Sequence, residues 1–175
     1  MIQRTKWTER KFTFDFPEGW LSNILERLRG TTPRIICMTD GLSDHELSFQ
    51  PEGKWSIKEH IGHLCDLEEL HKGRIDDFIA RKEVLRAADM SNAKTYEANH
   101  NAKTLHELIN EFKVKRDHYV IYFEQLNEDT QKFRAMHPRL QTLVRPVDIA
   151  YFTAEHDDHH LADIRFIIAQ LKQKA

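Results

Sequence analysis

"EHDDHHLADIRFI", Glu155 to Ile167, combines a helical apolar stripe with three histidines. At about 100° per residue, His156 and His160 point within about 40° of each other, on a stripe shared by Ile149, Phe152, Asp163 and Ile167. His159 lies about 60° from His156 and about 100° from His160, at the edge of that stripe. Imidazoles buried without partners cost a few kcal/mol each, and clustering them invites repulsion once they protonate. Something must offset that cost.

The stretch lies in the last of four long amphipathic segments. "GWLSNILERLRG" (19–30) repeats apolar residues at helical spacing, Gly30 and Pro33 interrupt it, and "PRIICMTDGL" (33–42) resumes it. Ser56 followed by Glu59, and Thr104 followed by Glu107, are capping-box pairs that open a second and a third helix. The spacing predicts helices near 20–41, 55–81, 104–126 and 147–172, with a break around 30–33. Only "KFTFDF" (11–16) alternates with period two. The class is therefore all-α, a four-helix bundle. "EVLRAADMSNAKTYEANHNAK" (83–103) is a connection of about twenty residues, longer than neighbouring antiparallel helices need. It permits a crossover, or a loop that covers a site.

Composition narrows the function classes. The 175 residues carry no repeat or Pro/Gly/Ser linker, so 1–175 reads as one domain. A net charge of −2 offers no global field for nucleic acid or an anionic membrane. "MIQRTKWTERKFTFDF" lacks the apolar core of an export signal, and no run of about 18 apolar residues follows. Cys37 and Cys65 share no ligand spacing and each sits in an apolar segment, so both are expected as reduced, buried thiols. The expected location is the cytoplasm.

In the second helix, His63 groups with Leu67, Leu70 and Phe78, with His60 about 60° away. A third imidazole can thus face the same core as His156 and His160. A lone core histidine is usually a satisfied structural residue. A His-x-x-x-His pair on one helix with a histidine from a facing helix is also a chelating arrangement, with open positions on the ion. "HDDHH" overlaps the zinc-protease pattern with Asp157 in place of glutamate, but no third-ligand signature follows.

Two stretches together, "GKWSIKEHIGHLCDLEEL" (53–70) and "AEHDDHHLADIRFI" (154–167), resemble the DinB-like superfamily of four-helix metal-binding proteins. That superfamily includes bacillithiol S-transferases and mycothiol-dependent maleylpyruvate isomerase. Helix order and the long middle connection agree over nearly the whole chain. The resemblance implies an up-down-down-up bundle that often dimerises. It also implies His63, His156 and His160 as ligands to zinc, nickel or a similar divalent ion, with positions open to water or a thiolate.

The implied function is a metal-dependent thiol S-transferase acting with a low-molecular-weight thiol on a small electrophile. The alternatives are a metal-dependent hydrolase and a non-catalytic, stress-related metal-binding protein. No motif names a catalytic residue or a thiol-binding residue. Asp66 and Asp163 lie near the histidine stripes, where they could orient imidazole N–H groups or simply pair on the surface. Arg74 and Arg145 could hold a substrate carboxylate or meet solvent. Tyr96, Asn99 and His100 lie where a lid could form. His60 and His159, off the shared stripes, are expected to matter much less than the triad. Trp7 and Phe12, on an N-terminal arm, point to a homodimer, since they cannot all reach one core.

Overall fold

Both capping boxes close in the computed structural model, which describes residues 4–174; the first three residues and Ala175 lie outside it. Ser56 Oγ accepts the Glu59 N–H at 3.1 Å, and Glu59 takes the Ser56 N–H at 2.7 Å. Thr104 and Glu107 repeat this at 3.2 and 2.8 Å. Each box satisfies amide groups that a helix start leaves without intrahelical partners.

The first rod is broken into α1 (Leu21–Arg29) and α2 (Thr31–Thr39), as Gly30 and Pro33 predict. After one turn, α3 (Asp44–Leu47), come α4 (Ile57–Ile79), the short α5 (Ala93–Glu97), α6 (Leu105–Glu124), the short α7 (Glu128–Lys132) and α8 (Pro146–Lys174). A small antiparallel hairpin precedes α8: β1 (Ala135–His137) pairs with β2 (Thr142–Val144), Met136 opposite Leu143. Strands this short hold too few residues for a period-two pattern to stand out. "KFTFDF" is irregular chain instead. Its alternation is real, but Phe12, Phe14 and Phe16 use it to lie on α8 rather than to pair with a strand; Phe12 meets Phe152 at 5.0 Å and Phe16 meets Tyr151 at 4.5 Å between ring centroids.

Side-chain pairs fix the helix directions. Glu68 and His71 of α4 meet Arg116 and Tyr119 of α6 in the same order, so these helices run parallel. Arg116 and Tyr119 meet Asp157 and Thr153 of α8 in reverse order. Arg27 and Thr31 meet Glu155 and Asp157 in the same order, so the first rod runs with α8. The topology is up-down-down-up. Since α4 and α6 are parallel, the chain must return the length of the bundle between them, about 35 Å for the 23 residues of α4 at 1.5 Å each. The long connection makes that return.

Two apolar clusters fill the interior. One contains Leu28, Phe78, Tyr119, Phe123 and Ala154, the other Ile35, Leu64, Phe112, Leu161 and Ile164. On every rod a polar residue separates them: Thr31, Glu68, Arg116 and Asp157. Arg116 binds Glu68 at 2.7 Å and Asp157 at 3.1 Å, and Thr31 donates to Asp157 at 2.7 Å. Buried ions of this kind persist only when paired with opposite charge. Among the described residues no helix is long and apolar enough to cross a membrane. Cys65 is buried, and that burial pushes its thiol up to about 12; Cys37, expected inside, is exposed.

Candidate metal centre

Antiparallel packing of α4 on α8 sets His63 opposite His156 and His160. Ring centroids lie 4.8 Å apart for His63 and His160, 5.4 Å for His63 and His156, and 4.5 Å for the α8 pair. One ligand nitrogen from each lies within 4.8 Å of the others, a group that could hold a metal ion. The Nε2 atoms of His156 and His160 are 3.1 Å apart. Nitrogens bound to zinc at about 2.0–2.1 Å sit about 2.9 Å apart at right angles and about 3.3 Å apart in a tetrahedron, so the pair is spaced for ligation. The buried His156 Nδ1 has no hydrogen-bond partner among the described residues.

Burial keeps these rings neutral. It pushes His63 down to about 3, and holds His156 and His160 well below the ordinary imidazole value, with their mutual proximity adding to the effect. Neutral rings present the lone pairs a cation requires.

Hydrogen bonds select which nitrogens face the centre. His63 Nδ1 lies 3.0 Å from Thr95 Oγ1, whose hydroxyl is 3.1 Å from Asp66 Oδ2; His100 Nε2 reaches the same oxygen at 2.8 Å. Thr95 donates to Asp66 and accepts the His63 Nδ1–H, which leaves the Nε2 lone pair free. Burial raises Asp66, but the hydrogen bonds from His100 and Thr95 outweigh it and hold the carboxyl below its usual range. Asp66 therefore does orient an imidazole, through Thr95 rather than directly. Asp163 pairs with Arg4 and lies 3.5 Å from His159, a histidine directed toward the arm.

His60 is closer to the centre than its helical angle suggests. Its Nδ1 lies 2.9 Å from His160 Nδ1, so His160 can donate there while Nε2 faces His156. His60, His160 and Asp163 form a second group that could hold an ion, sharing His160 with the first.

A cavity of about 510 Å³ opens beside the triad, walled by Trp7, Trp55, Phe152 and Arg74. Trp55 packs on His63 at 4.6 Å, and Trp7 on His156 at 4.9 Å. Trp7 and Phe12 thus find their apolar partners within the chain, so they give no support for a dimer. Asp157 turns away from the cavity to Arg116 and Thr31, which removes the zinc-protease overlay. Arg145 is held by Asp148 at 3.1 Å and by the Phe16 carbonyl at 2.9 Å; it anchors the arm. His100 packs against Gly62, Asn99 is exposed, and Tyr96 is largely exposed beside Trp55. The long connection contributes Thr95 and His100 to the site, and no spacing rule singles out that threonine.

In comparisons with known proteins, no curated protein sequence matches. Among solved structures, YfiT from Bacillus subtilis, described as a probable metal-dependent hydrolase with an unusual four-helix bundle topology, superimposes with a TM-score of 0.80 at 13% identity, covering 93% of this chain and 94% of that one. The mycothiol-dependent maleylpyruvate isomerase matches with a TM-score of 0.67 at 14% identity, covering 86% of this chain and 61% of that one. At such identities these likenesses establish the fold. The DinB superfamily model matches residues 24–164, and the chain belongs to that superfamily.

Proposed function

We propose that the chain is a divalent-metal-dependent enzyme that joins a low-molecular-weight thiol to a small electrophile, with His63, His156 and His160 as the metal ligands. The convergence of three buried neutral imidazoles beside an open cavity carries this reading. When bound, a zinc- or nickel-like ion supplies positive charge that lowers the pKa of an entering thiol. Thr95 and His60 hold the rings of His63 and His160 in ligating orientation. Trp7, Trp55 and Phe152 shield that end of the cavity from water. The cavity also argues against a closed structural site, which would fill its coordination sphere with protein.

Thiol transfer is favoured over hydrolysis because, among the described residues, the cavity offers no free carboxylate base, and its histidines outside the triad are His71, His137 and His159. Asp89 is the carboxylate residue among the described lining residues, and it accepts hydrogen bonds from Ser91 and Ala93 at 2.6 to 3.0 Å. A thiol, with an unperturbed pKa of about 8.5, ionises near neutral pH after a modest shift and needs no such base. Hydrolysis is the second reading. It is supported by the likeness to YfiT and by the ability of three-histidine zinc sites to bring water to a pKa of about 7.

Metal analysis followed by two substrate panels tests the choice: thiols with electrophiles, and esters with amides. Metal-dependent thiol consumption supports transfer, whereas metal-dependent ester or amide cleavage without thiol overturns it in favour of hydrolysis. Assembly as a homodimer belongs to the same proposal, now on family resemblance alone. A dimer mass by light scattering is expected, and a monomer mass at micromolar concentration would contradict it.

A further inference from the structure

Among the described residues the buried cations are paired except Arg74 in the cavity, where the half-buried Arg139 also has no carboxylate partner. Arg116 is held by Glu68 and Asp157, Arg145 by Asp148, and Lys58 by Asp44. Arg74, only 3% exposed, gives its Nε–H to the Arg86 carbonyl at 3.2 Å and has no carboxylate partner among the described residues. Arg139, at the hairpin tip, lays its guanidinium over Trp7 at 5.5 Å and Phe152 at 5.3 Å, and its buried Nη2 has no hydrogen-bond partner among the described residues.

His137 joins them with a third unused donor. It is 1% exposed, and its Nδ1 accepts the Leu140 N–H at 3.2 Å, which places the ring proton on Nε2. That Nε2 is buried without a partner among the described residues. All three residues line the same cavity as the histidine triad. The groups left over are donors only, two of them cationic; burial depresses His137, and the two arginines beside it in the same cavity add to that. Such a set is costly to bury unless an acceptor-only anion enters it.

We propose that Arg74, Arg139 and His137 form a carboxylate-binding subsite, and hence that the electrophile is a small molecule bearing a carboxylate. Two guanidinium forks match a planar carboxylate, and the imidazole N–H supplies a neutral donor beside them. Arg74 lies three helical turns beyond His63 on α4, about 16 Å along the axis, while Arg139 lies over Trp7 and Phe152, and Trp7 packs on His156, so the subsite lines the cavity wall from Arg74 toward the metal centre. A molecule anchored there presents its other end to the triad. That last step rests on the metal-dependent reading above; the subsite itself shares no residue with it.

Calorimetric titration of the metal-loaded protein with glutarate, its neutral diamide and inorganic phosphate tests the proposal. The Arg139→Gln and Arg74→Gln variants, the control Arg165→Gln at an exposed position of α8 outside the cavity, and metal-stripped wild type run in parallel. Arg139 sits in a surface turn, so its variant remains informative if Arg74→Gln fails to fold. Glutarate should bind wild type and Arg165→Gln alike, and at least about tenfold more weakly to Arg139→Gln and Arg74→Gln; the diamide should bind weakly throughout. Unchanged glutarate affinity in Arg139→Gln, no binding to wild type, or a preference for phosphate would overturn the proposal. Binding lost on metal stripping but intact in Arg139→Gln would place the anion on the ion and sink the subsite while the metal centre stands. A chain that never takes up metal but still needs Arg139 for glutarate would retain the subsite and sink the metal centre.

Discussion

Replacing Thr95 by valine should loosen the metal centre without touching a ligand. Valine keeps the shape of threonine and removes the one hydroxyl that joins His63 Nδ1, at 3.0 Å, to Asp66, at 3.1 Å. The His63 N–H then has no acceptor in a buried position, which costs about 1–3 kcal/mol in the metal-free protein. The ring is no longer held with Nε2 toward the cavity, and loss of a partner of this kind weakens metal affinity about 10- to 100-fold. Competition with a chromophoric zinc chelator measures that loss, and a thermal melt follows stability. Tyr96→Phe is the control, since Tyr96 lies on the same short helix and is largely exposed. Zinc affinity equal to wild type in Thr95→Val, alongside weak binding in His63→Ala, would refute the Thr95 relay.

Three further outcomes follow from the packing. In Gly62→Ala the added Cβ would fall 2.2 Å from the His100 ring, so that ring must leave Asp66; a loss of about 1–3 kcal/mol is expected in chemical denaturation, and an unchanged midpoint would contradict it. Arg116→Ala strands Glu68 and Asp157 in the interior and should cost about 3–5 kcal/mol; a loss below about 1 kcal/mol would show that the polar layer is not a paired buried network. In the metal-free protein, burial holds His63 and His137 at about 3 and His60 at about 4, against 6.5 ordinarily. These folded values lie below the unfolded one, so stability is at its full value well above pH 6.5 and falls as the pH drops through 6.5, where the unfolded chain takes up protons first. Stability should therefore fall by about 1 kcal/mol per histidine between pH 6.5 and 5.5, and a flat profile across that window would contradict it.

What the sequence revealed of this site depended on distance along the chain. The pairing of His156 with His160 is a relation within one helix, and helical spacing reports it directly. That His63 faces them follows once two apolar stripes are packed together. Thr95 lies on a one-turn helix within the long connection, 32 residues from the histidine it orients, and nothing in its spacing marks it. His60 was set aside by its angle on the helical wheel, yet an imidazole is long enough to reach His160 across the α4–α8 contact. Trp7 was legible as apolar but not as a wall of the cavity, because its partners Phe152 and His156 are more than a hundred residues away. Asp157 was legible as a residue flanked by candidate ligands; only the position of Arg116 shows that it turns into the buried polar layer rather than toward the cavity.

The central claim is that His63, His156 and His160 hold one divalent ion, and metal retention tests it most directly. Wild type and the three single alanine variants are saturated with zinc or nickel, freed of unbound ion, and analysed for metal by mass spectrometry, with circular dichroism confirming that each variant is folded. Wild type should retain a single ion per chain, and each variant should lose most of it. A folded His156→Ala protein that retains zinc and nickel as tightly as wild type would contradict the assignment.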